Sequence, residues 1–303
     1  MTVLPSSTPP DRFSPDISIA ELCDPLPTKR MLFDTGMTAI AFALTALALL
    51  PLLSVLISIL HRGLPYLKWE VFTSLPAVDG FGNAILGTLI MVGIASIISI
   101  PIGIITAIFL SEFNQGSALV EIVRFLTTIL TGVPSIIIGV FAYGVIVLQS
   151  TPKTFSANAG GFALAILMLP IVALTTEQAL KLVPQSSRLA SAALGASRLQ
   201  TTWRIVVATA IPAITTGVLL AIARAAGETA PLIFTALNSD DWPQGLNNPT
   251  PSLSVFIFNS GFLAPDPKQN QIAWTAALVL ISLVLGMSII SRLVTSRRLK
   301  IRG

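Results

Sequence analysis

Charge is scarce in this chain. Only 11% of its 303 residues are Asp, Glu, Lys or Arg, while 53% are hydrophobic and the mean hydropathy is +0.83. Soluble domains carry about 25% charged residues, so the composition excludes a water-exposed globular domain and fits an integral membrane protein. Cys23 is the one cysteine, which excludes a disulfide framework and a thiolate metal site. His61 is the one histidine, which excludes a multi-histidine metal centre; beside Arg62 at the end of an apolar run it reads as an interfacial residue. No Walker A phosphate loop occurs, so the chain itself is not expected to bind ATP. Nor does a nucleophile elbow or other catalytic constellation, so an enzyme is the weakest reading and no cofactor is expected. No signal peptide is visible either, because the first apolar run begins only near Thr35 and is too long for a signal h-region.

What the chain does have is long apolar runs. About 20 apolar residues cross a bilayer core, and six candidates stand out: 35–60, 83–110, 124–148, 159–176, 212–237 and 272–293. The expected class is therefore all-α integral membrane, with six transmembrane helices over 35–303. Residues 1–34 hold six prolines and little periodicity, which predicts an irregular tail. The fourth span is short, and its helix can continue past Thr176. Pro134 is expected to bend the third.

The net charge of +4 and pI near 9.6 suggest nucleic acid at first sight, but the basic residues flank apolar spans with no aromatic stacking platform between them. They read as a topology signal. One side collects 13 of the 18 Lys and Arg, among them Arg30, Arg124, Lys181, Arg188, Arg198, Arg204 and Arg292, while the other collects Arg62, Lys68, Lys153 and Lys268. The positive-inside rule then predicts that both termini are cytoplasmic.

The eighteenth is Arg224, which lies inside the fifth span with Glu228 four residues on. An ionisable residue in a membrane span costs a few kcal/mol even on lenient scales and marks a polar path or an internal pair. On a helix, i and i+4 share a face. Counted from Pro212, Arg224 lies about 18 Å in, near mid-membrane. Its face carries Gly217, Ala221, Glu228, Pro231 and Thr235, small or polar throughout, against Val218, Ile222 and Ile233 behind. Two readings stay open at this stage: a contact on a transport path, or an ion pair that only orients the helix. The glycines Gly87, Gly93, Gly103, Gly132, Gly139 and Gly144 are expected to permit close helix approach.

The longest connection on the basic side, 177–211, predicts a short helix starting after Pro184, a turn at Gly195 and a second short helix. Leu189, Ala190, Ala193 and Leu194 form an apolar stripe with Arg188 and Ser191 beside it. An element with so few large apolar anchors is better suited to a partner's groove than to lipid headgroups.

This connection resembles the EAA loop of ABC-importer permeases. Gly195 and Ile205 keep its spacing, while Leu189 stands where the family has Glu, Ser191 for the second Ala, and Val207 and Ala208 for its Leu-Pro end. Five further stretches occur in the order of the PstA-type permeases of phosphate importers: Gly82-Asn-Ala-Ile-Leu-Gly-Thr88, Pro101-Ile-Gly-Ile-Ile-Thr-Ala107, Gly132-Val-Pro-Ser-Ile-Ile-Ile-Gly139, Arg224-Ala-Ala-Gly-Glu-Thr-Ala-Pro231 and Ala273-Trp-Thr-Ala-Ala277. The Arg-x-x-Gly-Glu-Thr run is the most specific, because it carries the intramembrane charges. The similarity covers about 35–300.

That resemblance implies the type I ABC importer architecture in a prokaryotic inner membrane and an ATP-driven import of inorganic phosphate. Its implied partners are a second, PstC-like permease, a dimer of cytoplasmic ABC ATPases and a periplasmic phosphate-binding protein, in contact with membrane lipid and not with nucleic acid. Arg224, Glu228 and Thr229 become the expected substrate-path residues. Arg188, Leu189, Ala190, Ser191, Ala192, Ala193, Leu194, Gly195 and Ala196 become the expected contact with the ATPase. Two alternatives remain: a type I permease for sulfate or molybdate, and a secondary carrier acting without ATP, for which no inverted repeat is visible.

Overall fold

The computed structural model describes residues 28–113, 116–264 and 266–300, so the expected tail falls outside it except for 28–34. Those residues are helical, the first turns of α1 (Thr28–Gly63). The chain divides into two units: residues through Leu56, of which the described ones are helical and exposed, and residues from Ile57 onward, which hold the bundle.

In the bundle, α2 (Gly82–Glu112) and α5 (Ala157–Lys181) form the central pair. Lipid is as apolar as leucine, so close packing rather than removal from water must join membrane helices. Small residues supply it here. A Cβ on Gly161 would lie 2.6 Å from Ile94, and one on Gly103 would lie 2.8 Å from Val172, so the two helices run side by side in the same direction. The other expected contact glycines divide: Gly87 and Gly139 are closely approached, whereas Gly93, Gly132 and Gly144 face open space in this chain.

The third expected span is broken. α3 (Ala118–Gly132) and α4 (Ser135–Val147) meet at 103°. Proline cannot donate a backbone hydrogen bond and pushes the residue before it out of the helical region. Val133 (ψ 127°) and Pro134 (ψ 134°) are accordingly extended, and the chain turns there.

The fifth expected span, 212–237, is not one helix. α7 runs from Arg198 to Gly227 and α8 from Ala230 to Thr235, with Glu228 extended between them. Pro231 explains the stop, since it has no N–H for the Gly227 carbonyl and its ring crowds that oxygen. The start also differs: the expected second short helix of the connection flows without interruption into α7. Gly139 of α4 lies on Pro231 of α8, where a Cβ would come within 2.6 Å of the proline Cα, so the two interrupted spans touch.

After α8 come α9 (Leu253–Leu263) and α10 (Pro267–Lys300). Leu253 donates its backbone N–H to Thr88 Oγ1 at 2.9 Å, seating the start of α9 on α2. Thr275 of α10 donates to the Gly63 carbonyl at 3.0 Å, and the Arg62 guanidinium lies 5.1 Å from the Trp274 ring centre. The ends of α2 and α5, the short helix α6 (Gln185–Ala193) and the start of α7 share one end of the bundle, which gathers Arg124, Lys181, Arg188, Arg198 and Arg204. Arg62, Lys68 and Lys268, the last paired with Asp79, belong to the other.

Candidate functional site

Two constellations carry the chemistry, one along α7 and one at the basic end. Gly217 of α7 packs against Thr175 of α5, and the two helices run in opposite directions. Arg224 lies seven residues past Gly217, about 10 Å along the axis. That brings it level with the middle of α5. It does so although α7 starts 14 residues before Pro212, because the first turns of α7 belong to the connection at the basic end.

The faces of α7 differ from the expected division. Gly217, Ala221, Pro231 and Thr235 are buried in the chain's own core, and Arg224 points away from them with 55% of its side chain exposed. It belongs to an exposed stripe, Thr209, Ala213, Thr216, Leu220, Arg224 and Gly227, spaced three or four residues apart. Five of these six are small or polar. Such a stripe with an arginine in it is not a lipid face.

Glu228 is 17% exposed, and its Oε1 lies 3.5 Å from Arg224 Nε, at the outer limit of a hydrogen bond. The Nη groups of Arg224 have no protein partner among the described residues, which leaves the planar fork of donors available for an oxyanion. The backbone at Glu228 is held instead: Ser254 Oγ donates to its carbonyl at 2.8 Å. Thr229, the third expected path residue, is half-buried, and its carbonyl accepts the first hydrogen bonds of α8. Ser254 escaped sequence reasoning, since nothing local marks a serine as the support of a residue 26 positions earlier.

At the basic end, α6 (Gln185–Ala193) begins after Pro184. It stops by the motif its sequence predicts: Ala196 N–H donates to Ser191 O and Gly195 N–H to Ala192 O, with Gly195 left-handed at φ +80°. Ser197 then caps α7, its hydroxyl accepting from Gln200 N–H while Gln200 Oε1 accepts from Ser197 N–H. The elbow is rigid on both sides of its glycine.

Here the expected contact residues separate. Leu189, Ala190, Ala192, Ala193, Leu194 and Gly195 are exposed, with Leu194 88% and Leu189 64% accessible, and Ala196 is half-buried. Ser191 turns inward and bonds Thr201 Oγ1 at 2.9 Å. Arg188 also turns inward: it pairs with Glu112 of α2 at 2.8 Å and donates to the carbonyls of Leu180 and Val183. Arg188 is thus a staple between α6 and the bundle. The element is amphipathic in reverse, polar inward and apolar outward, which suits a docking surface.

A second staple lies close by. Glu177, nearly buried, accepts from Arg124 at 2.8 Å and from Lys181 at 2.7 Å, tying α3 to α5. Removing one partner of the better-buried Arg188–Glu112 pair strands a charge. Arg188→Ala is expected to destabilise the folded chain by about 2 kcal/mol, less than a fully buried pair would lose. The exchange Arg188→Glu with Glu112→Arg should restore much of that. Thermal unfolding of the purified protein checks both, and an additive double variant would exclude the staple.

Against known proteins, residues 99–300 match the model of the family described as "Binding-protein-dependent transport system inner membrane component". A phosphate transport system permease protein PstA of Haemophilus influenzae is 41% identical over 79% of this chain and 85% of its own. A PstA 2 of Mycobacterium bovis is 34% identical over 97% of this chain and 95% of its own. Among solved structures, a bacterial alginate ABC transporter chain superposes with a TM-score of 0.62 at 14% identity, over 89% of this chain and 96% of that one. A chain of the MetNI methionine ABC transporter, in an inward-facing conformation, gives 0.60 at 17% identity, over 74% and 98%. These two likenesses concern the fold: an all-helical permease of the type I ABC importer architecture.

Proposed function

We propose, from the premise that this chain belongs to the PstA-type permeases of phosphate ABC importers, that it lines one side of a phosphate path with the Arg224 stripe of α7. The carrying observation is that stripe: a mid-span arginine, more than half exposed, on a helix face of small and hydroxyl side chains. Such a face is stable in a bilayer only when another polar or small-residue surface covers it. A second permease of the PstC type supplies that surface, and the groove between the two is the path.

Phosphate crosses as an oxyanion and needs donors where hydrocarbon offers none. Arg224 supplies the guanidinium fork, and Glu228, loosely engaged with it, keeps the site from holding the anion too tightly for release. Thr229 stands at the helix break beside them. The chain hydrolyses no ATP itself. As an inner-membrane permease subunit it works with ABC transporter partners, and the exposed elbow from Leu189 to Gly195 is its seat on the ATPase. The basic end of the bundle then faces the cytoplasm, and the opposite end receives the phosphate-binding protein.

Reconstitution of this chain with a second permease, the ATPase and the binding protein tests the reading. Radiolabelled phosphate should enter vesicles only with ATP and binding protein present, and sulfate and molybdate should stay at background. Uptake of another oxyanion in its place would overturn the substrate, and uptake without ATP would overturn the class.

A further inference from the structure

The elbow that seats on the ATPase has an unusual charge balance. Between Glu177 and Glu228 the chain contains no Asp or Glu at all, so the elbow itself carries no carboxylate, and Glu112 of α2, which lines the cleft beside it, is engaged by Arg188. Its basic residues fall into two kinds. Lys181 and Arg188 are already paired, with Glu177 and Glu112. Arg198 and Arg204 are exposed, and their guanidinium groups have no protein partner among the described residues.

These two arginines line different clefts of the elbow. Arg198 borders a cleft of about 750 Å³ between α6 and the end of α2, which also holds Leu189 and Ala192. Arg204 borders a second cleft, of about 290 Å³, with Leu194, Gly195 and Gln200. Leu189 of the first cleft and Leu194 of the second are the exposed apolar crest, with Leu199 exposed as well. An apolar ridge with one uncommitted cation in each cleft fits a particular complement: an apolar groove with a carboxylate on each rim.

We propose that Arg198 and Arg204 grip the ATPase electrostatically, each accepting a carboxylate at the rim of the socket that takes the Leu189–Leu194 crest. The position where the family's loop carries Glu is Leu189 in this chain, so the joint here is apolar at its centre and basic at its edge. This rests on the elbow being the ATPase seat. Rim charges act on association rate and salt dependence more than on the buried contact, and they fade once the screening length falls to a few ångströms.

The test uses the assembled permease pair in nanodiscs and its cognate ATPase. Single cysteines at Ala192 and Leu194 report by crosslinking whether the elbow meets the ATPase. Arg198→Glu and Arg204→Glu, with the milder Arg→Gln variants beside them, are then measured for ATPase binding at low and high salt. Each reversal should weaken binding roughly tenfold at low salt, with the difference closing near 1 M. Crosslinks that persist while reversal leaves binding and its salt dependence unchanged would overturn the rim proposal and leave the docking reading standing. Loss of the crosslinks in the unaltered-charge background would overturn both. Reversals that abolish a dependence on anionic lipid, with ATPase affinity intact, would assign the arginines to headgroups and overturn the proposal.

Discussion

Replacing Arg224 and Glu228 together by glutamine is expected to give a complex that assembles and hydrolyses ATP but imports no phosphate. Arg224→Gln alone strands Glu228 inside the span, and the second substitution removes that penalty, so assembly should return in the double variant. Transport should not. Hydrogen bonds to charged groups contribute about 1.5–3 kcal/mol each, so losing a two-point grip on an oxyanion costs uptake at least about a hundredfold. Arg224→Lys keeps the charge without the fork and should fall nearly as far. A pair that only orients the helix predicts the opposite, near-normal uptake from the neutral double variant, and that result would remove Arg224 from the path. The geometry favours the first outcome. Arg188 and Glu112, which do act as a staple, lie 2.8 Å apart with side chains 24% and 10% exposed, whereas Arg224 and Glu228 lie at 3.5 Å with Arg224 55% exposed.

The second large effect concerns the elbow. Gly195→Val should leave a complex whose ATPase turns over without driving uptake. The residue sits at φ +80°, a backbone state that costs an ordinary side chain about 1–2 kcal/mol and a β-branched one more. Nothing lies within 4 Å of where its Cβ would be, so the damage comes from the backbone and not from a clash. The valine backbone relaxes, Ala196 loses its bond to Ser191, and the crest turns away from its socket. Gly195→Asn is the control, because asparagine tolerates the left-handed region and should keep coupling. Uptake per ATP hydrolysed, compared across the two variants, decides. Normal coupling in the valine variant would mean that the elbow's shape is not what transmits the stroke.

Much of this was legible in the sequence because it is written in local signals. Pro134 announced the turn between α3 and α4, and Pro184 and Gly195 bounded α6. Pro231 announced the end of α7 as clearly, but an apolar run to Leu237 masked it: hydropathy reports where lipid can lie, not where a helix stops. What stayed hidden depends on long-range pairing. Arg188 and Leu189 are neighbours in one short helix, yet one faces the bundle and the other points outward, because Glu112, 76 residues earlier, captures the first. The same blindness assigned Gly217 and Ala221 to the face of Arg224. They lie within a turn or two of it, but α5 claims the small residues and leaves the long side chain outside.

The contact of Gly139 with Pro231 has a consequence of its own. Each interrupted span has a helix end next to a helix start, and helix ends carry roughly half a unit of charge from their aligned peptides. Because the two interrupted spans touch, both sets of fixed peptide dipoles belong to neighbouring segments of one bundle. Unlike an ionisable side chain, these groups do not titrate near neutral pH and have no rotamer to swing out of the way. The polarity there is built into the backbone, and substitution of side chains can tune it but not erase it.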